Sequence, residues 1–294
     1  MTMFKAMPKS ATKAAIIGVL VVLLAACSTL RLAYGNGPQL AWWWIDGYID
    51  FSSQQTPRAK AAIDQWFAWH RKTQLADYVT VLAEAEQLVM EPATPALACR
   101  WQHRLRESAD PALQHAIETF ADLVPGLGEA QLKHLEQRFA KNDDKMRKDY
   151  LQPDAEDRAD AGVKRTLEYA EMLYGRLGDA QRKVIAAGIA ASPFDADAWV
   201  AERRKRQHDT VNTLRRLVAE HADYDHTVAA LRVLAANAEH SPDPVYRAYQ
   251  AKLIDYNCAF AAQIHNATTP AQRQAARERL ATWQADLRSF ANPG

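Results

Sequence analysis

The densest group of metal-ligating side chains in the sequence is "HADYDH" at 221–226. On a helix His221 and Asp225 stand one turn apart and share a face, whereas His226 lies about 140° round from His221. Two ligands on one face fall short of the three or four that zinc takes, and no HExxH is present, so the segment reads as a solvated helix surface. "KNDDKMRKDY" at 141–150 sets Asp143, Asp144 and Asp149 among four basic residues. Lacking the loop glycine and terminal glutamate of a calcium loop, it reads as an exposed face laced with ion pairs. Beyond the n-region, whose Ser10 and Lys13 stand at SxxK spacing, the sequence holds no GxSxG, no SxxK and no cysteine beside a histidine, the patterns that would announce an activated nucleophile. Carboxylates are spread along the whole chain, so no pair stands out for glycoside hydrolysis. The basic run "ERRKRQ" at 202–207 reads as solvated, with lipid or lipopolysaccharide phosphate as the ligand class it would otherwise take. The expectation is a chain that is not an enzyme and needs no metal or cofactor.

Aromatic residues are the other candidates. "WFAWHRK" at 66–72 places Trp66, His70 and Thr73 along one helix face; a Trp–His pair suits a ligand ring, but polar-edged core packing is the expectation. In "QLAWWWIDGYID" at 39–50, Leu40, Trp43, Trp44, Gly47 and Tyr48 share one side at helical spacing and read as core. Trp42, Ile45 and Ile49 form a second stripe, interrupted by Asp46 and Asp50. Trp43 and Trp44 are therefore expected inside and Trp42 exposed or interfacial, since an indole with a wet N–H suits a membrane boundary. Candidate partner or membrane contacts are Trp42, Trp66, Trp69 and His70.

These side chains must be positioned by helices. Gly and Pro are sparse, Ala, Leu, Arg, Glu and Gln are plentiful, and helical periodicity runs almost to the end with no strand alternation. The spacing predicts helices at about 39–49, 53–90, 94–108, 111–124, 128–151, 154–176, 178–190, 195–237, 243–267 and 269–290. Pro92, Pro95, Pro111, Pro125, Pro153, Pro193, Pro242, Pro244 and Pro270 fall at or near the junctions. The fold class is all-α: long antiparallel helices in a bundle or curved cradle, filling 39–294 as one helical domain with room for two subdomains divided near 150–178. Cys99 and Cys258 are either a disulfide, which an oxidising compartment allows, or two small buried hydrophobes.

One pattern recurs at helix starts: "FSSQQ" at 51–55, "LGEAQ" at 127–131, "LGDAQ" at 177–181 and "TTPAQ" at 268–272. In each a cap residue (Ser52, Gly128, Gly178, Thr269) is followed three places later by glutamine (Gln55, Gln131, Gln181, Gln272), as in a capping box. Gly128 and Gly178 cap through backbone alone, so those boxes are half-formed. The boxes resemble the LTxxQ motifs of periplasmic helical proteins of the Spy and CpxP kind, two copies of which open helices in a cradle-shaped chaperone. None of the four here is a full Leu-Thr-x-x-Gln.

The N-terminus speaks of location. "MTMFKAMPKSATK" carries Lys5, Lys9 and Lys13 and no acid, and an apolar run from Ala14 to Ala26 follows, an n-region and h-region too short for a confident span. "LAAC" at 24–27 resembles a bacterial lipobox, which implies cleavage of a signal peptide (1–26), diacylglycerol and N-acyl lipid on Cys27, and a tether over 27–38. Ser28 after the cysteine resembles an outer-membrane sorting signal. Without residues 1–26 the 36 basic residues fall by three, to 33 against 35 acidic, which argues against nucleic acid as a partner. The lipobox together with "RLAYGNGPQLAWWWIDGYIDFSSQQ", "WFAWHRKTQLADYVTVL", "LGEAQLKHLEQRFAKNDDKMRKDYL" and "WVAERRKRQHDTVNTL" resembles a family of proteobacterial lipoproteins known only as a domain of unknown function. The expected protein is anchored to the membrane at the periplasmic face of the outer membrane. It binds envelope proteins in a chaperone-like way or recruits one specific partner, with peptidoglycan hydrolysis as a third reading.

Overall fold

The computed structural model describes residues 33–291; Cys27 and the signal segment lie outside them. The described residues are helical, with no strand among them. In chain order the elements are α1 (Gly37–Ile49), α2 (Thr56–Thr73), α3 (Leu75–Leu88), α4 (Pro95–Ala121), a 3-10 turn (Val124–Gly126), α5 (Glu129–Tyr150), α6 (Ala155–Tyr174), α7 (Asp179–Ala190), α8 (Ala196–Ala219), α9 (Tyr224–Glu239), α10 (Pro244–Asn266) and α11 (Pro270–Ala291). Thr94, Asp154, Asp195, Asp223 and Asp243 start α4, α6, α8, α9 and α10 by accepting from amides of the first turn, at 3.1, 2.6, 2.9, 2.8 and 2.9 Å. Each such cap stabilises its helix by about 1 kcal/mol.

Four boundaries differ from the sequence reading. Pro111 does not end a helix: α4 runs through it. The lost backbone bond is offset by packing on both sides, with Cys99 bridged to α10 before it and buried Ile117 and Ala121 after it. The expected 53–90 helix is divided at Gln74, although backbone bonds from Gln74 to His70 and from Tyr78 to Gln74 continue through the join. Thr73 back-bonds to the Trp69 carbonyl at 2.9 Å, a contact that bends helices.

The expected 195–237 helix stops at Glu220. His221 adopts φ 47°, its amide reaches Val218 O, and that of Ala222 reaches Leu217 O, a Schellman stop with histidine where glycine is usual. The "HADYDH" segment thus spans a turn and the first residues of α9, and His221 and Asp225 are not neighbours on one helix. Finally, α1 begins at Gly37 inside the expected tether, and 33–35 are helical too. Gly37 lies so close to the Phe67 ring that a Cβ there would stand 2.4 Å from it, so the helix start requires glycine.

Two sets of helices hold separate cores. In the first, Leu132 and Leu135 of α5 pack on Val211, Leu214 and Leu217 of α8, Trp42 of α1 packs on Ala59 and Ile63 of α2, and Ile117 and Ala121 of α4 pack on Val228 of α9. In the second, Val89 meets Ala276 and Leu280 of α11, and Leu177 and Ile185 meet Phe260 of α10. α4 crosses between them. Its first half is bonded by the Cys99–Cys258 disulfide to α10, Cα atoms 5.2 Å apart, and its second half belongs to the first core. The disulfide alternative is the one realised.

Candidate functional site

The four capping boxes meet in two pairs. In each box the glutamine Oε1 accepts from the amide of its own cap residue: Ser52 at 2.9 Å, Gly128 at 2.9 Å, Gly178 at 2.6 Å and Thr269 at 2.9 Å. Only Ser52 and Thr269 return a side-chain bond, at 3.3 and 3.2 Å. The free amide of each glutamine then crosses to a partner box. Gln55 donates to Gly126 O and Gln131 Oε1, and Gln131 donates to Asp50 O and Gln55 Oε1. Gln181 donates to Ala267 O and Gln272 Oε1, and Gln272 donates to Arg176 O and Gln181 Oε1. Every glutamine thus reaches the carbonyl two residues before its partner's cap, giving each pair a local two-fold relation. Four residues before the caps of the second pair stand Tyr174 and His265, and these bond each other at 2.8 Å. The boxes are structural joints rather than binding surface.

The tryptophans are arranged opposite to expectation. Trp42 is 9% exposed, while Trp43 and Trp44 are 63% and 67% exposed, with Leu40 beside them at 46%. The acids that made the Trp42 stripe look superficial are spent at the helix end: Asp46 folds back to accept from Phe51 N at 3.0 Å, and Asp50 turns the chain with φ 58°. Trp42 is then free to stack on Phe51, centroids 5.8 Å apart, beneath the Lys60 ammonium. α1 is held from its other side by His134, whose ring nitrogen is 3.2 Å from Gly47 O.

Trp66, Trp69 and His70 do come together, as packing. Trp66 stacks on His70 at 4.7 Å and donates to Ala112 O at 3.1 Å, and Trp69 stacks on His115 at 3.9 Å. His70 Nδ1 is 2.9 Å from the Tyr34 hydroxyl, and the Tyr34 ring lies against Phe67 and Phe290. Burial pushes the His70 imidazole down to about 4, keeping it neutral, and burial also lowers His265. Burial raises the Tyr174 phenol to about 12.

The two charged segments are likewise more buried than their composition suggests. Asp143 is buried and accepts from Arg203 at 3.3 Å, Arg204 at 3.1 Å and Gln207 at 3.1 Å. "ERRKRQ" is therefore solvated only in part: Arg204 and Lys205 are exposed, but Arg203 and Arg204 pin α8 to α5 through one carboxylate, and Glu202 is buried.

Sequence reasoning missed a cleft of about 1260 Å³ between the α5–α6 and α7–α8 turns and α10. Its wall is an aromatic trio: Tyr150, Phe194 and Trp199, with centroids 5.1–6.2 Å apart. Ile189, Phe260 and Ile264 form an apolar floor, and Arg147, Arg158 and Arg165 stand at the lining. The Arg165 guanidinium sits 4.2 Å over the Tyr150 ring and donates to Asp149 O at 2.8 Å. Arg158 bonds the Gln152 and Pro153 carbonyls, as Arg247 bonds those of Ser241 and Pro242. The shared "PDxxxR" in "PDAEDR" and "PDPVYR" was the readable signal for this turn. An aromatic wall with fixed cations suits apolar side chains flanked by backbone carbonyls or carboxylates.

A family model matches residues 47–241, and its description is a family of unknown function (DUF6279). No curated protein and no solved structure matches the chain.

Proposed function

The chain belongs to DUF6279, a family of unknown function, and we propose that it is a non-enzymatic lipoprotein of the outer membrane's periplasmic face that captures segments of envelope proteins. The observation that carries the reading is the cleft: an aromatic wall of Tyr150, Phe194 and Trp199 over an apolar floor, with Arg147, Arg158 and Arg165 at its edge. Such a surface holds an extended, partly apolar stretch of polypeptide in the manner of a chaperone. Anchoring at Cys27 rests on the N-terminal charge, the apolar run and "LAAC". The Cys99–Cys258 disulfide agrees with an oxidising compartment. Likeness to LTxxQ chaperones rests on the four glutamine boxes alone, whose pairing gives this chain two such joints.

The test adds the mature chain to a chemically denatured client diluted into buffer and follows light scattering. Suppression near equimolar ratio that is lost in Trp199→Ala supports the reading. Undiminished aggregation turns attention to the second reading, one dedicated partner, which the confined size of the cleft favours; crosslinking in intact cells through a photoreactive group at Phe194 would then give a single adduct.

A further inference from the structure

α1 covers the first core with one stripe and leaves the other uncovered. Leu40, Trp43 and Trp44 lie at i, i+3 and i+4 on its outward side, and all three are exposed. Two neighbouring indoles in water are costly, since each carries a large apolar area. One end of this stripe meets a cation: the Arg138 guanidinium stands 5.5 Å over the Tyr48 ring, and Tyr48 packs against Trp44 at 5.0 Å; a second cation, Lys60, lies over Trp42 of the adjoining, buried stripe.

The sequence places Cys27 only seven residues before Tyr34, and Tyr34 is fixed among Phe67, His70 and Phe290. Seven residues span at most about 25 Å, and α1 starts three residues beyond Tyr34. A lipid on Cys27 therefore keeps α1 close to the headgroup layer. We propose that Leu40, Trp43 and Trp44 rest in the bilayer interface, so that the protein lies on the membrane by α1 instead of swinging on a free tether. Indole N–H groups suit the wet headgroup region while their rings enter the acyl boundary, and Arg138 and Lys60 face lipid phosphates. The inference rests on Cys27 being the anchor.

The experiment uses the mature chain purified from membranes and reconstituted into phosphatidylethanolamine–phosphatidylglycerol vesicles, with and without bromine on the acyl chains near the headgroup. Bromine quenches indoles that reach it, and Trp43 and Trp44 are two of eight tryptophans, so about a quarter of the emission is at stake. The expected result is bromine quenching in the native chain and in Trp66→Phe, and its loss in the double variant Trp43→Ser, Trp44→Ser, which keeps its fold, as helix content reports, because both side chains are mostly exposed. Equal emission from brominated and plain vesicles overturns the proposal, as does lipid-free, concentration-dependent shielding of the two indoles from acrylamide, which assigns the face to a second copy. The mass of the purified chain reports separately on the anchor. Without acyl groups on Cys27 the lipoprotein reading falls, while quenching of that same chain mixed with vesicles still decides whether α1 binds lipid.

Discussion

Gln55 and Gln131, 76 positions apart, hold each other by a reciprocal pair of amide hydrogen bonds of 3.2 and 2.9 Å. Gln131 caps α5 at Gly128, whereas Gln55 closes the Ser52 turn that leads into α2, where Gln55 and not Ser52 is the cap position. Each also bonds the backbone before the other's box. Gln181 and Gln272 repeat the arrangement 91 positions apart. A capping glutamine ordinarily uses its Oε1 and leaves its amide N–H groups to water. Here those groups close two loops of the chain, so the start of α2 and the start of α5 are one joint.

Removing one member of a joint strands the other's donors. Gln181→Ala should lower stability by about 2 kcal/mol, since Gln181 is buried and the loss leaves polar groups unpaired. Gln55→Ala, in a half-exposed pair, should cost about 1 kcal/mol. Urea unfolding of the single and double variants should give a coupling of about 1 kcal/mol within each pair and none between pairs. Additive effects of Gln181→Ala and Gln272→Ala would show that the cross-bonds contribute nothing beyond capping.

The all-α class and most helix starts were legible because caps are local: Thr94, Asp154, Asp195 and Asp243 announce themselves within four residues. Pairing of the boxes was not legible, since nothing in "FSSQQ" distinguishes a glutamine that ends in water from one that meets Gln131. The tryptophans were misread for a related reason. Two apolar stripes run along α1, and the choice between them depends on Asp46 bonding Phe51 N across the turn, a tertiary use of an acid that helical periodicity counts as solvent-facing. Asp143 was misplaced because its partners, Arg203 and Arg204, are about sixty residues away.

The disulfide closes a loop of roughly 160 residues and fastens α4 to α10. Chain-entropy arguments give a bridge of this span a stabilisation of about 4–5 kcal/mol. Reduction, or Cys99→Ala, should lower Tm by several degrees and should loosen α10 and the cleft floor it carries before it affects the α5–α8 core. Hydrogen exchange on the reduced chain is the check; uniform loss of protection across both cores would contradict the assignment of α4 as the crossing element.

His70 gives the fold an acid limit. Its folded-state value of about 4 lies below the ordinary 6.5, so between those values the unfolded chain binds the proton that the folded chain refuses. Stability is therefore full above about pH 6.5 and falls as pH drops toward 4, by up to roughly 3 kcal/mol from this group. His265, lowered in the same direction, adds to the slope. His70→Gln should flatten the pH dependence of Tm over this window while lowering Tm at neutral pH through the lost Tyr34 contact. An unchanged slope would place the acid sensitivity elsewhere.

Asp143 is the residue whose loss should cost most among the charged groups. Two arginines and Gln207 converge on its carboxylate, which is buried. Asp143→Asn keeps the shape and some hydrogen bonding but removes the charge, leaving the Arg203 and Arg204 guanidiniums facing each other across the α5–α8 seam. Destabilisation of about 3 kcal/mol is expected. Because the Coulombic part is partly buried, added salt should restore little of it, whereas a surface pair such as Arg58–Asp122, both partners more than half exposed, should give less than about 1 kcal/mol on Asp122→Asn. Chemical denaturation of both variants at low and high salt separates the two cases: a loss in Asp143→Asn no larger than that in Asp122→Asn, or one that salt fully screens, would mean that this carboxylate does not join α8 to α5.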